Sequence, residues 1–213
     1  MKKKIVLAVL LFLMSVLPFY LSGCSSFYSS GIFSVSRSRR EYFSVLEKWT
    51  KKADIYNKLN TVMYIRATYL SRPFVRAYAK EYAKYYLLNS KAYKEKFNGL
   101  APAFNSRITL LVSVYTPKKS YNNMDSKRSI WTIYLVNSEG ESIMPQSVKP
   151  SQKKRVFLRK FFPYVTDWSK QYIIKFPRYY DKKSRKLFIN SGTKYIKLII
   201  TGVNGKAVLR WNL

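Results

Sequence analysis

Histidine is absent from the 213 residues, cysteine occurs once, and only 10 residues are acidic against 40 lysines and arginines. Each shortage removes chemistry. Without an imidazole there is no Ser-His-Asp or Cys-His catalytic unit. A single thiol forms no disulfide within the chain, and zinc is left without the His/Cys clusters that hold it. The 7 glycines spell no dinucleotide fingerprint and no phosphate loop. No metal and no cofactor is therefore expected. The carboxylates are scattered from Glu41 to Asp181, whereas acid–base hydrolysis uses two that converge. Asp54 and Glu81 read as partners of helix lysines, and Glu139 and Glu141 as solvated residues beside a turn at Gly140.

What remains is ample for one core. Hydrophobic residues make up 47% of the chain and aromatic residues 17%, far from a disordered composition. The formal charge is +30, which speaks to partners and solubility and not to fold.

The N-terminus carries the sharpest signal. Lys2, Lys3 and Lys4 precede an apolar run from Ile5 to Leu13 that continues loosely to Leu21, and Leu21-Ser22-Gly23-Cys24 closes it. A basic start and an apolar stretch form a secretory signal, to be excluded from fold reasoning. With its closing tetrapeptide, this segment resembles the signal peptide and lipobox of bacterial lipoproteins. The resemblance implies cleavage between Gly23 and Cys24, a diacylglyceryl group on the Cys24 sulfur, and acylation of the new amine. Two or three acyl chains anchor stably where one is marginal. By similarity to Gram-negative sorting, Ser25 implies the outer membrane, with the domain facing the periplasm. The resemblance stops at Cys24, and beyond it the chain carries the motif of no named family.

The expected organisation is a signal peptide over 1–23, a Ser-rich tether over 24–38 and a single domain over 39–213. Spacing of Tyr42, Leu46, Trp49, Ala53 and Tyr56 suggests a helix or irregular segment over 39–57. Residues 61–70 are rich in β-branched and aromatic types, as in a strand. Ser71 and Pro73 announce a helix over 73–97, with Gly99 placed to end it. Strands are expected over 108–115, 130–136, 142–148, 172–176, 195–201 and 206–211. Pro145 interrupts the third of these, and Asn204-Gly205 joins the last two as a hairpin. The stretch 153–163 reads as a loop or short helix crossing between sheets. The fold expected is α+β, mainly β: an antiparallel β-sandwich, immunoglobulin-like or similar, with one main inserted helix.

Basic clusters are the remaining candidate site. Lys153, Lys154 and Arg155 form one, and Lys182, Lys183, Arg185 and Lys186 another. Aromatics beside basic residues suit nucleic acid in a cytoplasmic protein. An exported chain meets anionic lipid, lipopolysaccharide phosphates or an envelope protein instead, so no nucleic acid is expected. The function expected is a non-catalytic, membrane-anchored envelope protein that binds an anionic component or a protein. Two alternatives stay open: a hydrolase or transferase pairing Ser, Tyr or Lys with a carboxylate (Asp54, Glu81 or Asp167), and a carbohydrate-binding module with exposed aromatics. Of Trp49, Trp131, Trp168 and Trp211, only Trp168 falls near an expected turn where exposure is natural.

Overall fold

The computed structural model describes residues 37–181 and 185–213. Cys24, the signal peptide, nearly all of the tether, and Lys182 and Lys183 lie outside the described residues. Helix α1 (Arg37–Trp49) runs directly into β1 (Thr50–Asn57), which forms a hairpin with β2 (Asn60–Tyr69). The helical reading thus holds only as far as Trp49. Beyond it Lys51 to Ile55 pair residue by residue with β2, and Lys58, at φ +53°, closes the turn. The apolar spacing that continued to Tyr56 was coincidental with the helical period, and strand pairing overrides it.

Helices α2 (Arg72–Tyr85) and α3 (Ser90–Asn105) replace the one long helix expected. Ser71 caps α2 as read, its hydroxyl accepting from the Phe74 amide. The break comes at Leu87, where φ is +51°. Asn89 then accepts from the Ala92 amide at 2.9 Å and starts a second helix. Gly99 sits inside α3 rather than after it.

Then follow β3 (Arg107–Tyr115), β4 (Trp131–Asn137), β5 (Ser142–Ile143) and β6 (Ser147–Pro150). After α4 (Arg155–Phe161) come β7 (Lys170–Pro177), β8 (Tyr179–Asp181), β9 (Lys186–Leu187), β10 (Tyr195–Gly202) and β11 (Gly205–Asn212). Pro145 does more than weaken a strand. It separates β5 from β6, which join different sheets. The expected crossing helix, α4, instead links β6 and β7, neighbours in one sheet. The β10–β11 turn is Val203-Asn204, because Gly202 pairs with Gly205. Gly205 is needed at φ +133°, where an added Cβ would lie 2.5 Å from Ile55 on β1.

The fold is an antiparallel β-sandwich. One sheet has the order β1-β2-β3-β7-β6 and the other β11-β10-β4-β5, with β8-β9 a small separate ribbon. Register builds the core row by row. Val112 stands between Ala67 and Tyr172, and Leu110 between Tyr69 and Ile174. On the second sheet Leu135, Leu198 and Leu209 align. The β4 and β11 strands alternate buried and exposed residues, so their sheet keeps one face in water. By contrast β3 is buried continuously from Ile108 to Val114, which requires cover on both faces. One face meets the sandwich core. Over the other lie α2, α3, α4 and the segment 164–169.

An aromatic cluster knits that outer layer together. The Phe74 ring lies 5.9 Å from Phe162, and Tyr78 lies 5.2 Å from Phe161. Tyr42 of α1 donates its hydroxyl to the Phe161 carbonyl at 2.7 Å. Burial pushes the Tyr42 and Tyr78 hydroxyls well above the usual tyrosine range. At the sandwich edge, the Trp211 indole donates to the Trp49 carbonyl at 2.8 Å, tying β11 to the α1–β1 junction. Residues Ser38–Leu213 form one compact unit. No helix among the described residues is long and apolar enough to cross a membrane.

Candidate functional site

The helix-covered face of the five-stranded sheet presents every second residue of its strands: Arg107, Leu111, Ser113 and Tyr115 on β3, Tyr64, Arg66 and Thr68 on β2, Ile173 and Lys175 on β7. Three clefts open along it, and their character changes with the rows beneath.

The first is a groove of about 620 Å³ between α2, α3, α4 and the β6–β7 edge. Its floor and walls are aliphatic and aromatic: Leu70, Phe74, Leu111, Leu158, Phe162 and Ile173. Arg107, Lys149, Lys153 and Lys175 stand on its rim, and no carboxylate lines it. Such a volume suits a single small ligand. The ammonium of Lys153 lies 4.7 Å from the centre of the Phe157 ring. Desolvation, and after it the charge of Lys96 on α3, holds Lys153 below the ordinary lysine range. No carboxylate lines the groove to offset the positive charge on its rim.

The second cleft, about 550 Å³, lies further along the sheet under the segment 164–169. Tyr64, Tyr115, Tyr164 and Trp168 line it with Arg66, Ser113, Thr166 and Ser169. The third, about 470 Å³, shares Lys153 with the first and Trp168 with the second, adding Lys119, Arg155 and Lys170.

Of the expected anionic-surface residues, Lys153 lines the groove and the third cleft, and Arg155 the third cleft only. Lys154 caps α4 with no side-chain hydrogen bond to the helix. Arg155 and Arg159 both pair with Asp167, which anchors the 164–169 segment to α4. Arg185, at φ +52°, and Lys186 on β9 follow the far end of β7 and line none of the three clefts. Strand β7, eight residues and about 25 Å long, runs between α4 and the β8–β9 ribbon that carries Lys186. Lys149, Lys175 and Arg107 escaped sequence reading because each is a single residue on a strand. Only the alternation of β7, which puts Lys175 on the same face as Ile173, points to them.

The candidate acids are not among the lining residues of the clefts. Asp54 pairs with Arg66 at 2.7 Å across the β1–β2 ladder, not with a helix lysine. Glu81 is buried in α2, and its Oε2 has no hydrogen-bond partner. Glu139 does more than sit in solvent: it accepts from Asn190 and Thr193 and pins the β4–β5 turn to a distant loop. None of the three clefts contains a carboxylate.

No known family model matches the chain, and no curated protein does. Among solved structures it is similar to a protein from Burkholderia pseudomallei K96243, described as a "novel protein of unknown function". That likeness has 9% identity and a TM-score of 0.42 over 81% of this chain and 82% of the other, and it carries no argument here.

Proposed function

We propose that this chain is a lipid-anchored envelope protein that acts by binding, and that its domain holds an anionic amphiphile in the basic-rimmed groove. The groove itself carries the reading: an aliphatic floor for a hydrocarbon chain, four rim cations for a phosphate or carboxylate head, and no acid to oppose it. The lipobox ending at Cys24 supports the location, since an anchored domain works beside a surface rich in such molecules. The absence of carboxylates from the clefts favours binding over acid–base catalysis, where the reacting groups must converge.

The magnitudes are adequate. Burying about six methylenes contributes roughly 5 kcal/mol. Charge-assisted contacts from the head to two lysines add roughly 3 kcal/mol or more. Together they approach the about 8 kcal/mol of a micromolar complex.

Two measurements test this. Calorimetric titration of the chain with dodecyl phosphate is expected to saturate at one equivalent, with dodecyltrimethylammonium binding about tenfold or more weaker because the rim repels it. The joint change Lys149→Glu, Lys153→Glu and Lys175→Glu reverses that preference. Equal binding of both detergents contradicts the reading. Mass spectrometry of the membrane fraction is expected to find a mature chain beginning at acylated Cys24. A Cys24→Ala chain that is still processed and membrane-bound contradicts the anchor.

A further inference from the structure

The second cleft has a composition of its own. No Leu, Ile, Val, Met or Phe lines it; four aromatic rings, an arginine and three hydroxyls do. Tyr64 and Tyr115 face each other across the β2–β3 ladder, their ring planes within 24° and their centroids 5.9 Å apart. Tyr56 braces Tyr64 edge-on at 6.2 Å, and the Tyr64 hydroxyl shares a 3.1 Å hydrogen bond with Thr61. These rings are fixed before any ligand arrives.

Trp168 lines the same cleft and is 81% exposed, whereas Trp49, Trp131 and Trp211 are all buried. Its exposure is not that of a loose loop. The Thr166 amide donates to Ser169 Oγ at 3.0 Å, and Ser169 Oγ donates back to the Thr166 carbonyl at 3.0 Å. Gln171 donates to both Ser169 Oγ and the Ser169 carbonyl at 2.8 Å. Asp167 is gripped by Arg159 of α4. The segment is clamped on both sides of an indole that the fold itself leaves in water. A large exposed ring on a rigid support is the arrangement in which ligand burial wins most and ordering costs least.

From these observations we infer that the cleft between Trp168 and the Tyr64–Tyr115 pair is a saccharide site, taking the pyranose rings of an oligosaccharide. A pyranose has one face of C–H groups, which lies against an aromatic ring, and an equator of hydroxyls, which need donors and acceptors. The cleft offers both. The Arg66–Asp54 pair at its edge, each side chain about one-third exposed, gives a donor beside an acceptor for adjacent hydroxyls. A hydrocarbon chain would find no aliphatic surface here. The inference stands on this cleft alone and not on the groove reading.

The test uses the full chain in a sugar-free detergent, titrated separately with chitotetraose, cellotetraose and maltotetraose. At least one is expected to shift and saturate the tryptophan emission, because Trp168 is the exposed indole. Calorimetry with that saccharide should show about tenfold or greater weakening in Trp168→Ala, with much of the affinity restored in Trp168→Phe, since the aromatic face carries the contact. Should Trp168→Ala fail to fold, protection of Trp168 from acrylamide quenching in the unaltered chain decides the matter: protection supports the site and its absence refutes it. Failure of all three saccharides to bind overturns the inference. So does unchanged affinity in a folded Trp168→Ala, or tighter binding of adenosine monophosphate than of any saccharide.

Discussion

Two clefts share one sheet face and one set of strands, yet their linings differ in chemistry. On β3 the groove rests on Leu111 and the aromatic cleft on Ser113 and Tyr115; one step along the same face separates them. On β2 the aromatic cleft rests on Tyr64 and Arg66, whereas the groove takes Leu70, just past the end of that strand. What lies above differs as well. Helices roof the groove and lend it Phe74, Leu158 and Phe162. A hydrogen-bonded segment roofs the other cleft and lends it Trp168 and hydroxyls. The lesson is that a strand face with a period of two residues changes its lining from aliphatic to aromatic and hydroxylated within about 7 Å, provided the cover changes with it.

The largest effect that separates the two clefts comes from Phe74→Ala. Phe74 is buried, lines the groove from α2 and packs its ring against Tyr42, Tyr78 and Phe162. Truncation is expected to destabilise the domain by about 3–5 kcal/mol, read by denaturant unfolding. In the fraction that stays folded, dodecyl phosphate binding should weaken while oligosaccharide binding holds. A parallel loss at both clefts would mean that they are not separate units.

A smaller effect comes from pH. Lys153 has a folded-state pKa below its ordinary value, so part of its charge is lost earlier than for a free lysine as pH rises. A bound anion favours the charged form, and affinity therefore falls as pH climbs through that lowered value. Above about pH 8 an alkyl phosphate keeps a constant charge, so the change reports on the protein. Arg107, Lys149 and Lys175 line the same groove and would set the remaining affinity, while Lys96 acts on Lys153 through its charge. Dodecyl phosphate titrations from about pH 8 upward are expected to show the decline, with Lys153→Met flattening it. The oligosaccharide, which is uncharged, should bind equally well over that range.

Much of the β architecture was legible because it rests on local signals. The continuous apolar run of β3, the alternation of β4 and β11 and the capping serine of α2 each announce themselves. The strand β1 did not, since its apolar spacing matches a helix and only its partner β2 settles the matter. The break between α2 and α3 hid behind strong helix formers, although Asn89-Ser90 is a start signal in plain view. The groove was half legible. Lys153 belonged to a visible cluster, but Arg107, Lys149 and Lys175 come from three separate strands and meet only through register. Burial is the expectation for all four tryptophans, Trp168 being the one candidate for exposure; its 81% exposure overturns that expectation, and nothing local revealed that Tyr64 and Tyr115 would line the same cleft.

The most direct test of two distinct sites is a nuclear magnetic resonance titration of chain labelled at leucine and isoleucine methyls and at the indole nitrogens. Dodecyl phosphate should move the methyls of Leu111, Leu158 and Ile173 and leave the Trp168 indole unshifted. The oligosaccharide should move the Trp168 indole and leave those methyls in place. If either probe moves both sets alike, the face holds one undifferentiated surface, and the assignment of separate ligand chemistries to its two ends is wrong.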